Sequence, residues 1–472
     1  MTPGVQQCRG PISRRSFLEI GTLATSALGL SDFLRLQAIA KESTGQSAPD
    51  TSVIFVWLPG GPPHMETYDM KPDAPAEYRG IFSPIKTNVR GIEVCELLPR
   101  HAKCADKYTI IRSVSHEFAD HGGGHKRFLT GYKPKEPTGF INDNPMVGSV
   151  VAKMRVHVKT GLPNYIAEVD GGRQGVDTFS FGAAYLGSAT TPFFVGGDPS
   201  APEFKVQNLG VTPDMAERLD NRAHLLNGLD RLRRDVDKSG LMETMDKFSR
   251  QAMELLLSDK ARVAFDLSRE PAELRERYGN HAFGQRAIMA RRLVEAGASF
   301  VTVVMEHPGG PAPKNAVYNW DSHAVNCHLF DDARWRFPYY DQAVTALVED
   351  LYARGLDKKV LLVVTGEFGR TPRITTQIGT QTGVMQPGRD HWPGAMSMLV
   401  AGGGMRTGQI VGATNSKGEY PIERPLKPED LWATVYRHLG IDWTQSFLDH
   451  SGRPTTILPG GEPIEEILPA GA

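Results

Sequence analysis

Cysteine is scarce in this chain, with 4 in 472 residues, which excludes a disulfide scaffold. Neither sign of charge is in excess. The 53 Lys+Arg stand against 54 Asp+Glu for a formal net charge of −1. With no long basic run, a generic nucleic-acid binder is not expected. No Gly-x-Ser-x-Gly elbow and no His-Glu-x-x-His string occurs, which argues against serine-esterase and zinc-peptidase chemistry. The hydrophobic share of 40% beside 23% charged residues excludes a disordered chain. Glycine and proline are abundant, 49 and 33. They imply many loops, where α/β enzymes usually carry their chemistry. The length allows one large domain with an insertion or two domains.

Residues 1–40 read as an address. Ser13-Arg14-Arg15-Ser16-Phe17-Leu18 precedes a weakly apolar stretch from Ile20 to Leu34 and then Ala38-Ile39-Ala40. A basic start, a short apolar segment and small residues at −3 and −1 describe an export signal cleaved near Ala40. The paired arginines resemble a twin-arginine (Tat) signal, so the Tat machinery is an expected partner and the periplasm or exterior the expected location. A permanent span needs ~20 mostly apolar residues, and this stretch is too short and polar, so no membrane span is expected after cleavage. Of the cysteines left, Cys95 and Cys104 are candidates for a pair.

Short Val/Ile/Leu-rich runs without alternation, 53–58, 109–111, 300–305, 360–365 and 396–401, read as strands covered on both faces. Ala343, Leu347 and Leu351 predict a helix over 339–354 ended by Gly355. Thr212-Pro213 opens a helical insertion at about 212–297, and 427–440 reads as a late helix. The expected class is α/β, a mostly parallel central sheet with helices on both faces, residues 41–472 forming one domain with that insertion.

Polar clusters fall beside these runs. His64, Glu66, Thr67 and Asp69 follow the first; His116, Asp120, His121 and His125 the second; Asp321 and His323 the third; Glu367 and Arg370 the fourth; His391 precedes the last. Ligands of open α/β sheets bind beyond the carboxyl ends of strands. His with carboxylate is the ligand set of zinc, manganese or iron, and a nearby Arg favours an anionic substrate. Each residue has an ordinary alternative. Asp321 caps a turn, and Glu367, ending a buried strand, pairs with either Arg370 or a cation. In 120–125, Asp-His-Gly-Gly-Gly-His, two histidines four apart would share a helix face, but three glycines argue against a helix.

The order of these pieces resembles the alkaline phosphatase/sulfatase superfamily. More narrowly, the strings at 60–80, 109–132, 319–326, 363–374 and 388–412 resemble an uncharacterised family of exported, Tat-signalled bacterial sulfatase-like proteins. The resemblance implies a hydrolase of phosphate or sulfate esters holding divalent metal, usually zinc, manganese or calcium. Glu367 matches the strand-end acid, His391 the later metal histidine, and Asp321 with His323 a shortened metal pair. Departures accompany it. His121 stands where the superfamily has its nucleophile, Phe368 replaces a metal histidine, and no Cys-x-Pro-x-Arg string supports formylglycine chemistry. Strand one ends in Pro59-Gly60 instead of an acid, leaving Glu66 or Asp69 as substitutes.

The expected site is therefore a metal held by Asp321, His323, Glu367 and His391, with Glu66 as a further ligand. His121 acts as general base or ligand, and Arg370 clamps the anion. Water is the expected attacking group, with Thr67 a weaker nucleophile. Two other readings stand beside this one. The first is a catalytically silent module binding sulfated or phosphorylated polymers or a partner protein; the second is a metal-free structural protein.

Overall fold

The apolar runs form the middle of one eight-stranded sheet in a computed structural model, which describes residues 50–158, 160–170, 176, 179–206 and 258–469. In chain order the strands are β1 (Ser52–Trp57), β2 (Tyr108–Val114), β3 (Tyr165–Val169), β4 (Phe193–Gly196), β5 (Phe300–Val304), β6 (Val360–Thr365), β7 (Met396–Gly402) and β8 (Gln409–Val411). Across the sheet they lie β8-β2-β7-β6-β1-β5-β3-β4. Every pairing is parallel except those of β7, which is antiparallel to β2 and β6. The export segment 1–40 and residues 212–257 of the expected insertion lie outside the described residues.

The lack of alternation in β1 has a direct cause. Ile54 and Val56 enter the core on one face, and Val53, Phe55 and Trp57 the core on the other, all fully buried. Helices α3 (Ala282–Glu295) and α4 (Leu329–Ala353) cover the first face; α1 (His121–Thr130), α2 (Val147–Met154) and α5 (Pro428–His438) cover the second. Of the expected insertion, the described part from 258 onward holds helices Asp259–Phe265, Ala272–Tyr278 and α3, and α3 packs on β1 and β5. The helix foreseen over 339–354 begins ten residues earlier, where the His328 ring accepts from the Asp331 N–H, and runs through Pro338. Cys95, Cys104 and Cys327 are buried free thiols, so the Cys95–Cys104 pairing is not formed.

The glycines of α1 were expected to forbid a helix, and the helix is there. Asp120 caps it, its carboxylate accepting from Gly122 N (2.9 Å) and Gly123 N (3.2 Å). A Cβ on Gly122 would overlap the Gly139 carbonyl oxygen, and one on Gly124 would lie 3.0 Å from the Phe368 ring. The glycines let this turn press against two neighbouring segments, and that packing outweighs a propensity penalty of about 1 kcal/mol each.

Candidate metal centre

The carboxyl ends of β1, β2, β5 and β6 open onto one rim of the sheet. Because β7 runs the other way, the residues before its start arrive at the same rim, and this antiparallel strand delivers His391. A strand parallel to the rest would have carried it to the opposite edge.

Three imidazoles converge there on Asp321. Its Oδ1 lies 2.9 Å from His323 Nε2 and 3.0 Å from His391 Nε2, and those two nitrogens are 2.9 Å apart. His121 Nε2 is 3.5 Å from the other oxygen, Oδ2. In each ring the remaining nitrogen meets an acceptor. His323 Nδ1 is 2.7 Å from Asp390, His391 Nδ1 is 2.7 Å from the Ala119 carbonyl, and His121 Nδ1 is 2.8 Å from Glu367. With Nδ1–H donating outward, each Nε2 donates to Asp321, and would turn a lone pair inward once its proton is displaced by an incoming ion.

Glu367 is completely buried at the end of β6 and accepts from Gly60 N at 2.9 and 3.1 Å. His125, one turn along α1 from His121, brings Nε2 to 3.4 Å from its Oε1. Donor atoms of His121, Asp321 and His391 lie within 4.8 Å of one another, as do those of His121, His125 and Glu367.

Charge follows geometry. Burial pushes the Asp321 carboxyl up, but hydrogen bonds from His121, His323 and His391 outweigh it and hold the group well below the usual range. Burial likewise opposes ionisation of Glu367, and the charges and hydrogen bonds of His125 and His121 keep it well below its ordinary value. For His121 burial favours the neutral ring, yet Asp321 and Glu367 push it up to about 9. For His391 burial prevails and the pKa falls.

This gives a pH prediction. A folded-state pKa of about 9 lies above the unfolded value of ~6.5. The stability His121 contributes is therefore complete below ~6.5 and lost as pH rises through about 9. Thermal melts of the metal-free protein are expected to shift downward over that interval. Ion loading at pH 7.5 is expected to release protons, read by calorimetry in buffers of different ionisation heat. Proton-neutral loading would contradict the assignment.

Asp321, His323, His391, His121 and Glu367 are thus gathered, and two expected residues are engaged differently. Glu66 is buried in an ion pair with Arg389, whose Nε lies 3.1 and 2.9 Å from its two oxygens and whose terminal nitrogen is 2.6 Å from Oε1, so that both carboxylate oxygens are occupied. Arg370, expected as an anion clamp, is fully buried, with all three guanidinium nitrogens on protein oxygens: Gly60, Gly61 (2.8 Å), Trp320 (3.1 Å), Arg389 (3.2 Å) and Asp321 Oδ1 (2.7 Å). It braces Asp321 from behind. Asp69 is likewise buried, against Lys71 at 2.9 Å. His125, Asp390 and the Ala119 carbonyl are partners the sequence reading did not select. The i, i+4 spacing of His121 and His125 was their available signal, set aside on account of the glycines.

The donor set suits a divalent ion. Ligands about 2.1 Å from a tetrahedral ion sit roughly 3.4 Å apart, so the Asp321–His323–His391 triangle needs to open by only a few tenths of an ångström. Phe368 lies against it, its ring 4.4 Å from that of His391 and 5.4 Å from that of His121.

The sequence profile of a family described as a protein of unknown function (DUF1501) matches residues 50–468. No curated protein sequence matches the chain. Among solved structures, a mutant TAB5 alkaline phosphatase with magnesium bound is similar at 12% identity and a TM-score of 0.38, over 84% of this chain and 99% of that one. A phosphonate monoester hydrolase from Silicibacter pomeroyi matches at 11% identity and 0.36, over 88% and 76%. The lipoteichoic acid synthase LtaP from Listeria monocytogenes matches at 10% and 0.37, over 84% and 73%.

Proposed function

For a chain that belongs to the DUF1501 family, of unknown function, we propose a metal-dependent hydrolase of phosphate or sulfate esters, exported on the signal read at residues 1–40. The observation that carries this is the convergence of three histidine Nε2 atoms on one carboxylate, each ring oriented from behind by an acceptor.

Asp321, His323 and His391 are the ligands, since their three donor atoms are mutually closest. A nitrogen-rich set suits zinc better than manganese or calcium, which prefer oxygen. A bound divalent ion supplies charge stabilisation at the ester oxygens and a lowered pKa for the attacking water. The chain's own groups do the rest. Arg370 and the Asn326 side chain (3.1 Å from Oδ2) fix Asp321. Glu367, anchored on Gly60 N, holds the Nδ1–H of His121, so that Nε2 takes a proton from water or returns one to the leaving oxygen. Phe368 excludes solvent from one side. Water is the nucleophile.

Protein purified without chelators from a host that exports it is expected to carry a divalent ion and to cleave p-nitrophenyl phosphate or sulfate. His121→Gln is expected to lower kcat by about 10²–10⁴-fold with the ion retained. A loaded wild type inert toward every ester would favour the silent-module reading; an ion-free one would end the proposal.

A further inference from the structure

We propose that His116 is a positioning residue of the metal centre, a single neutral imidazole that sets Glu367, His391 and His121 relative to one another. This goes beyond the hydrolase reading, because it concerns how the donor set is held and not what it cleaves. The ring lies just past β2. Its Nδ1 is 3.2 Å from the Phe118 nitrogen, and a backbone N–H only donates, so Nδ1 carries the lone pair. The proton is therefore on Nε2, which donates to the Glu367 carbonyl at 2.6 Å. Burial pulls the His116 pKa down to about 4, which keeps the ring in this neutral form. The main-chain N–H of the same residue donates to the Pro393 carbonyl at 2.9 Å. One residue thus ties the segment after β2 to the segment after β6 and to the one before β7.

Each tie reaches a residue of the site. The Glu367 carbonyl is fixed by His116 while its carboxylate, anchored on Gly60 N, holds His121 Nδ1 at 2.8 Å. Phe118, placed by its N–H, packs under the first turn of α1, where a Cβ on Gly123 would stand 3.1 Å from its ring. The next residue, Ala119, supplies the carbonyl that orients His391 at 2.7 Å, and Asp120 caps the helix that carries His121. Pro393 follows the two-residue pairing in which His391 and Trp392 lie opposite Arg370 and Gly369. Two separate lines therefore leave the ring. Nε2 leads through Glu367 to His121, and Nδ1 leads through Phe118 and Ala119 to His391.

The test uses variants of the full-length protein that cut one line at a time. His116→Gln carries an amide N–H to the place of Nε2 and keeps the bond to Glu367; His116→Asn carries an oxygen to the place of Nδ1 and keeps the bond from Phe118; His116→Phe keeps neither. Imidazole NMR of the metal-free wild type at pH 7.5 is expected to show His116 neutral with its proton on Nε2. The His121 Nδ1–H signal is expected to move in His116→Asn and stay in His116→Gln, the His391 Nδ1–H signal to do the opposite, and both to move in His116→Phe. Zinc titrated by calorimetry is expected to bind His116→Phe about 10–100-fold more weakly than wild type, the cost of losing a partner that orients ligands from behind. A His116 proton on Nδ1, identical signal shifts in the two amide variants, or wild-type zinc affinity in a folded His116→Phe would each overturn the inference. Should His116→Phe not fold, the crossed pattern of the amide pair decides alone. None of these readouts needs turnover. An inert protein with the crossed pattern would keep this role for His116 and remove the hydrolase, and an active esterase without the pattern would do the reverse.

Discussion

Asp321→Asn is expected to yield folded protein that has lost its ion and at least a hundredfold in ester turnover. Among the described residues, Asp321 is the one group that three histidines and an arginine all address: Arg370 at 2.7 Å, His323 at 2.9 Å, His391 at 3.0 Å and His121 at 3.5 Å. The amide retains shape and one acceptor, so the packing around Trp320 and Phe368 should survive. It removes the charge that holds two ligand nitrogens within 3 Å of each other. Losing even an outer-sphere partner of a metal ligand typically costs 10–100-fold in affinity, and this residue is in direct reach of the ion. Metal analysis after gel filtration, with a thermal melt to confirm folding, reads the result. Retention of a full equivalent of ion by the variant would place the ion elsewhere.

The sequence made the sheet legible because strands buried on both faces leave unbroken apolar runs, as β1, β5 and β6 do. β3, β4 and β8 were not legible: Glu168 breaks the apolar run of β3, β4 and β8 span only four and three residues, and pairing to neighbours already in place defines all three. Within the site, Asp321, His323, Glu367 and His391 could be picked out because each borders a strand, yet strand direction is not written in a local window. Local propensity misjudged α1, since what a glycine allows depends on what approaches it, here Gly139 and Phe368. Charge pattern misjudged Glu66 and Arg370 for the same reason. A sequence shows that an acid and a base exist without showing that Arg389 has already claimed one and that backbone carbonyls have claimed the other.

Breaking the Glu66–Arg389 pair is expected to cost substantial stability. Both side chains are at most 1% exposed, and the guanidinium also donates to the carbonyls of Tyr78 (2.7 Å), Thr371 (3.0 Å) and Pro372. Burial raises the Glu66 pKa against the lowering effect of Arg389, so the carboxylate depends on its partner for its charge. Glu66→Ala leaves a buried cation with carbonyls as its remaining partners, and a loss of about 3–5 kcal/mol in urea unfolding is expected. Because Arg389 immediately precedes Asp390 and His391, ion affinity should fall as well. The double variant Glu66→Leu/Arg389→Met separates charge from packing. If the penalty comes from the unpaired cation, the double variant should recover most of the lost stability, whereas simple addition of two single losses would assign it to shape. Recovery of stability without recovery of ion affinity is the expected combination, because the carbonyls that Arg389 ties together also set the course of the chain into His391.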